Sequence, residues 1–131
     1  MDGKEQIPAE IKRFILTSID SVPHLEAALL LRYEPTLEWD AKMMAQRLYI
    51  SEKKAAEVLA DLNAKGLVTI QQDSPPLYRY DPTSLDLEEK MGQLSKIYAK
   101  HLIEVTNLIH SKTDKQAQQL GDAFLWKRER D

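Results

Sequence analysis

The sequence predicts a mainly helical fold with one small β-hairpin, and three observations predict it. Apolar residues recur at three- and four-residue spacing along most of the 131-residue chain. A serine or an aspartate stands before four of these periodic segments, where the N-cap of a helix belongs. Residues 67–80 instead carry β-branched and aromatic residues on both sides of a proline-containing turn.

Composition limits the class of protein. With 131 residues, 43% hydrophobic and 30% charged, the chain is expected to fold as one domain with an appendage, not as a two-lobed enzyme. The lack of cysteine excludes disulfides, thiolate metal sites and a cysteine nucleophile. The net charge of -3 argues against a non-specific coat on nucleic acid. The polar N-terminus and short apolar runs predict a cytoplasmic protein that contacts no membrane.

Two helices are expected first, over residues 9–20 and 22–33. Pro8 suits the opening turn of the first helix. Ser21 can cap the second helix, and Pro23 fits its first turn. The first helix is therefore expected to pack against the domain as an addition.

Two further helices follow, separated by a short turn. Asp40 is expected to cap a helix over residues 41–48, and Ser51 a helix over residues 52–65. Gly66 then stands where a left-handed C-cap residue belongs. This order predicts a helix-turn-helix.

A hairpin is predicted next, with strands over residues 67–72 and 77–80. Residues 73–76 read Asp-Ser-Pro-Pro, a turn sequence that neither strand can extend through. The helix-turn-helix and the hairpin together predict a winged helix-turn-helix with a two-stranded β-hairpin wing.

One long C-terminal helix is predicted from Ser84 to about Ser111, followed by a docking tail that contains Phe124 and Trp126. Its apolar positions follow the four-three spacing of a coiled-coil seam, which predicts a homodimer. The predicted dimerisation residues are Leu87, Met91, Leu94, Tyr98, His101, Val105 and Leu108. The domain division is therefore residues 1–82 for the winged domain with its N-terminal helix and residues 83–131 for the long dimerisation helix and tail.

The stretch WDAKMMAQRLYISEKKAAEVLADLNAKGLVTI resembles the DNA-binding core of small bacterial winged-helix regulators of the MarR-like kind. In those families an Ala-x-x-Leu element, here Ala45 to Leu48, precedes a serine-capped recognition helix. An LxxLxxxGLV segment follows, here Leu59, Leu62 and residues 66–68. The resemblance covers about residues 22–82.

This resemblance implies a transcriptional regulator that binds double-stranded DNA as a homodimer, with one helix per subunit in the major groove. The resemblance implies that the first turns of the helix over residues 52–65 contact the bases. It also implies that the wing and the helix over residues 41–48 contact the phosphates. The implied residues are Ser51, Glu52, Lys53, Lys54 and Glu57 in the helix, Gln71, Gln72 and Arg79 in the wing, and Lys42 and Arg47 in the preceding helix.

The charge of this region leaves a second interpretation open. Between Thr36 and Gly66 there are five basic and five acidic residues, so the expected DNA footprint is neutral. The alternative is a winged-helix module that does not bind DNA and instead binds a protein through its wing or C-terminal tail.

No catalytic pattern is visible, which predicts that the protein is not an enzyme and uses no cofactor. No metal site is expected either. His24, His101 and His110 are far apart in sequence, and the only carboxylates three or four residues after a histidine are Glu104, after His101, and Asp114, after His110.

Overall fold

The structure, a computed structural model, describes residues 7–112, and they form a mainly helical fold with one antiparallel hairpin, as predicted. The elements are α1 (Ala9–Ser18), α2 (Val22–Tyr33), α3 (Ala41–Leu48), α4 (Glu52–Ala64), β1 (Val68–Asp73), β2 (Pro76–Tyr80), α5 (Leu85–Lys100) and α6 (residues 102–112). Within this part of the chain no single helix is long and apolar enough to cross a membrane. Only α1 and α2 taken together pass that test, and they are bent by 106° at their junction. The predicted tail lies outside the described residues.

The four predicted N-caps are confirmed. In each case the side-chain oxygen accepts a hydrogen bond from the backbone N–H three residues further on, which satisfies one of the free donors of the first turn. The cap residues are Ser21, Asp40, Ser51 and Ser84, for α2, α3, α4 and α5 respectively. Local sequence therefore sets where these four helices begin.

Gly66 ends α4 as predicted, because it takes a φ of +82° that disfavours any side chain. A Cβ at this position would also lie only 2.8 Å from the hydroxyl oxygen of Thr83. The N–H of Leu67 bonds the carbonyl of Leu62 at 3.1 Å, so the chain turns tightly from the helix into the hairpin.

Every helix contributes one apolar face to the core. On α3 and α4, the buried residues include Met44, Val58 and Leu59, as the predicted stripes require. The hairpin contributes Tyr78 and Tyr80 from alternate positions of β2. The outer faces of α4 and of the hairpin are consequently directed away from the core.

Trp39 joins the hairpin to the start of α3. Its backbone exchanges two hydrogen bonds of 2.8 Å with that of Tyr78, and its indole ring is 1% exposed. Across the hairpin, Val68 pairs with Tyr80, and a bulge interrupts the register between Ile70 and Gln72.

The prediction of one long C-terminal helix is wrong, since the chain bends at His101, where φ is -127° and ψ is 48°. An unbroken helix would extend roughly 40 Å, beyond the small core. The bend instead brings α6 back, so that Val105 and Ile109 are buried and Lys112 lies 3.3 Å from Asp20.

The predicted seam consequently packs within a single chain. Met91, Leu94 and Val105 are completely buried in the core. The other seam residues, Leu87, Tyr98, His101 and Leu108, are partly buried. The heptad spacing is thus explained by burial inside the protein, without a second copy.

Glu88 links the hairpin to two helices. One of its carboxylate oxygens accepts a 2.5 Å hydrogen bond from the Tyr80 hydroxyl, and the other lies 3.0 Å from the Arg32 guanidinium. Gly92 leaves room for that guanidinium, because a Cβ there would come within 3.1 Å of it. Burial, and then the Glu88 carboxylate, raise the pKa of Tyr80 well above its usual value.

This raised pKa predicts a loss of stability at alkaline pH. In the unfolded chain Tyr80 releases its proton near pH 10, before the folded chain does, so its contribution is complete below about pH 10 and is lost as the pH rises through the folded-state pKa. We expect Tyr80→Phe to lose less unfolding free energy than the wild type between about pH 9 and 11. Urea unfolding at several pH values in this range measures the change in unfolding free energy. The control is Tyr33→Phe, because Tyr33 is 83% exposed. Equal alkaline slopes for the three proteins would contradict the prediction.

Candidate functional site

The strongest candidate surface is the outer face of α4 and the turn that leads into it. Residues 49–51 form the whole connection between α3 and α4, so the two helices are neighbours with a fixed approach. The inner face of α4 is buried, and its outer face exposes polar and small side chains. These exposed residues are Glu52, Lys53, Ala56, Glu57, Ala60 and Ala64.

All ten residues implied to contact DNA lie at least partly on the surface. Lys54 and Arg79 are partly exposed, and the remaining eight, Lys42, Arg47, Ser51, Glu52, Lys53, Glu57, Gln71 and Gln72, are exposed. The structure brings the five residues of α4 and its cap together within two turns. The three hairpin residues lie on β1 and β2, the two strands that follow α4 in the sequence.

Charge on this surface is less balanced than the sequence count suggests. Within residues 7–112, the side chains of Lys42, Lys53 and Lys54 form no ion pair. Two acidic residues and one basic residue of the same segment are already engaged elsewhere, and the basic one is Lys65, which donates to the Thr17 carbonyl at 3.1 Å. Asp40 caps α3, and Asp61 lies 2.8 Å from His24 on the side of α4 that faces α2. The lysines near the start of α4 are therefore available to an anionic partner.

Arg47 is held in place by the core. Its guanidinium lies 5.8 Å from the centre of the Trp39 ring, within the range of a cation–π contact. It also borders an open groove of about 400 Å³ between α2, α3 and α5. Burial raises the pKa of Tyr98, which lines this groove, and the nearby Glu26 carboxylate raises it further.

The hairpin residues are partly committed to local hydrogen bonds. The Gln71 amide donates to the Thr69 hydroxyl at 2.8 Å, and the Gln72 amide donates to the Pro75 carbonyl at 3.4 Å. Arg79 pairs across the sheet with Thr69. The two amide oxygens and the Arg79 guanidinium remain the groups of the hairpin that suit an external partner.

Tyr49 is a candidate that the sequence interpretation missed. It has a left-handed conformation, with φ of 58° and ψ of 45°, yet it is not glycine, and its side chain is 94% exposed. The conformation closes α3, because the N–H of Ile50 then reaches the Ala45 carbonyl at 3.2 Å. A large aromatic ring that adds strain and no burial is typical of a binding surface.

No known protein-family model matches the chain, and no curated protein matches it either.

Replacing Tyr49 with glycine tests whether this residue is strained. We expect Tyr49→Gly to raise the free energy of unfolding, by a few tenths to about 1 kcal/mol, because glycine adopts the left-handed conformation without steric penalty. Urea unfolding measures the change, and Tyr49→Ala is the control that removes the ring but keeps the Cβ. A glycine variant less stable than the alanine variant would refute the strain.

Proposed function

We propose that this chain is a winged helix-turn-helix protein that binds double-stranded DNA and regulates transcription as a homodimer. The observation that carries the proposal is the outer face of α4, the second helix of the proposed helix-turn-helix, because Lys53 and Lys54 at its start form no ion pair within residues 7–112. The hairpin that follows α4 directly acts as the wing.

The assignment of a wing is supported by how the hairpin is held. Its base is tied to α4, because the Asn63 amide donates to the Val68 carbonyl at 2.9 Å. Its second strand is tied to the segment before α3 through the backbone pair of Trp39 and Tyr78. A hairpin fixed both at its base and along its second strand has a defined position beside the helix-turn-helix, as a wing that follows a DNA backbone requires.

The outer face of α4 has groups that suit the major groove. Lys53 and Lys54 supply donors for phosphates or guanine, and Glu57 can accept from the amino group of cytosine. Ala56 and Ala60 are exposed and small, which permits a close approach to base edges and contact with thymine methyl groups. Tyr49, at the start of the same surface, adds an aromatic ring and a hydroxyl.

The proposed homodimer would place two copies of α4 on two half-sites of the DNA. Its interface must use other side chains than the completely buried Met91, Leu94 and Val105. The outer face of α6 suits this role, because Leu102 and Ile103 are 53% and 69% exposed there.

A second candidate function is a protein-docking module with the same fold. It is favoured by the fully exposed ring of Tyr49 and by Ile70, which is 43% exposed on the hairpin. Apolar and aromatic side chains of this kind are enriched in protein interfaces. The two functions differ in whether binding depends on lysine and on salt.

Removing the lysines at the start of α4 separates the two functions. We expect Lys53→Ala/Lys54→Ala to weaken DNA binding about tenfold or more. The plot of log affinity against log salt should also become less steep, by about 2 in slope, because two phosphate contacts are lost. Fluorescence anisotropy on a pool of genomic duplexes, beginning at about 50 mM salt, measures both quantities. The matched control is Lys96→Ala/Lys100→Ala, which removes the same charge from exposed positions of α5.

Two results would count against the DNA-binding proposal. One is an equal loss of affinity in both double variants, which would indicate a general effect of net charge. The other is a wild-type protein that binds no duplex at low salt, which would favour the docking module.

A further inference from the structure

A group of potential metal ligands lies where the turn between α1 and α2 meets α4. Asp20 and His24 come from the turn and the first turn of α2, and Asp61 comes from the last part of α4. One ligand atom from each of the three side chains lies within 4.8 Å of the others. The fold thereby brings together one imidazole nitrogen and two carboxylate oxygens, apart from the start of α4 and its lysines.

His24 is fixed in orientation at the centre of this group. Its side chain is buried, with Nδ1 at 2.6 Å from the Ser21 hydroxyl oxygen and Nε2 at 2.8 Å from Oδ2 of Asp61. The carboxylates are accessible by comparison, since the side chains of Asp20 and Asp61 are 41% and 49% exposed. A dissolved ion can therefore reach a preset imidazole from the solvent side.

The hydrogen bonds of His24 suit both a free and a metal-bound ring. In the tautomer with its proton on Nε2, that N–H group donates to the Asp61 carboxylate and Nδ1 accepts from the Ser21 hydroxyl. A metal needs the lone pair of Nε2, so the proton must be on Nδ1, where the Ser21 oxygen at 2.6 Å accepts it. Ser21 thus supplies the outer hydrogen bond that orients a ligating histidine.

The local charge favours a cation. The two carboxylates lie close together, and the Lys112 ammonium lies 3.3 Å from Oδ1 of Asp20. Lys65 lies against the Thr17 carbonyl at 3.1 Å, on the neighbouring end of α1. With one ammonium paired to two carboxylates, the group keeps one excess negative charge, which a divalent ion would offset.

We propose that Asp20, His24 and Asp61 form a binding site for Zn²⁺, with a water molecule as the fourth ligand. Zinc accepts both histidine nitrogen and aspartate oxygen in four-coordinate sites completed by water, and it binds a mixed nitrogen and oxygen set more strongly than Mn²⁺ does. Mg²⁺ is disfavoured because it prefers ligands that are all oxygen. Bound zinc would cross-link the turn between α1 and α2 to α4. This proposal depends on side-chain geometry alone and not on DNA binding.

The test is calorimetric titration of the full, untagged chain with Zn²⁺, and with Mg²⁺ as the comparison ion. We expect one saturable zinc site per chain, a higher melting temperature in the presence of zinc, and no comparable effect of Mg²⁺. Asp20→Asn and Asp61→Asn should each weaken zinc binding at least about tenfold. Both positions are well exposed, and circular dichroism without metal checks that the variants fold. The matched control is Glu104→Gln, which alters the other described histidine–carboxylate pair, His101 with Glu104.

Nitrogen NMR of the histidine rings gives a second readout. Zinc should move the His24 proton from Nε2 to Nδ1 and leave His101 unchanged. The proposal is overturned if zinc shows no saturable binding, or if the two aspartate variants bind zinc as the wild type and Glu104→Gln do. It is also overturned if the His24 tautomer does not change at saturating zinc.

Discussion

The position of the candidate surface depends on Trp39. Its backbone pairs with Tyr78 on the hairpin, its ring is buried in the core, and Asp40 immediately after it starts α3. One residue therefore fixes the hairpin relative to α3, and the short turn at residues 49–51 then fixes α4 relative to α3. The Gly66 turn, the side-chain bonds of Tyr80 and Asn63, and the burial of Val68 and Tyr78 in the core also hold the hairpin to the helices.

The C-terminal part of the chain supports this arrangement from the other side. The Arg32–Glu88–Tyr80 network ties α2, α5 and the hairpin together with charge-assisted hydrogen bonds. The bend at His101 then allows α6 to cover the α1 side of the core. The same helices thus stabilise the domain whether or not a second copy binds, and the outer face of α6 is left for a partner.

Local signals in the sequence predicted most of the fold. The four caps, the glycine at the end of α4 and the apolar stripes depend on residues within a few positions of one another, so their meaning is visible in the sequence. The bend at His101 was missed because no glycine or proline marks it, and because the seam spacing continues through it. The bend is decided by the size of the core, which is a property of the whole fold.

Parts of the site were missed for similar reasons. A search for carboxylates near each histidine in sequence could not connect His24 with Asp61, which lies 37 residues away and meets it only in the folded chain. Tyr49 gave no signal, since nothing in its neighbours indicates a left-handed conformation. The charge count was misleading in a comparable way, because it gave Asp40, Asp61 and Lys65 the same weight as side chains on the outer face of α4.

Amide NMR of the labelled chain with a short duplex at low salt tests whether the outer face of α4 contacts DNA, as we propose. We predict that the largest shifts fall on residues 49–57 and on the hairpin around residues 71–73, and that they disappear as salt rises. Shifts confined to α5 and α6, or no shifts at all, would contradict the account.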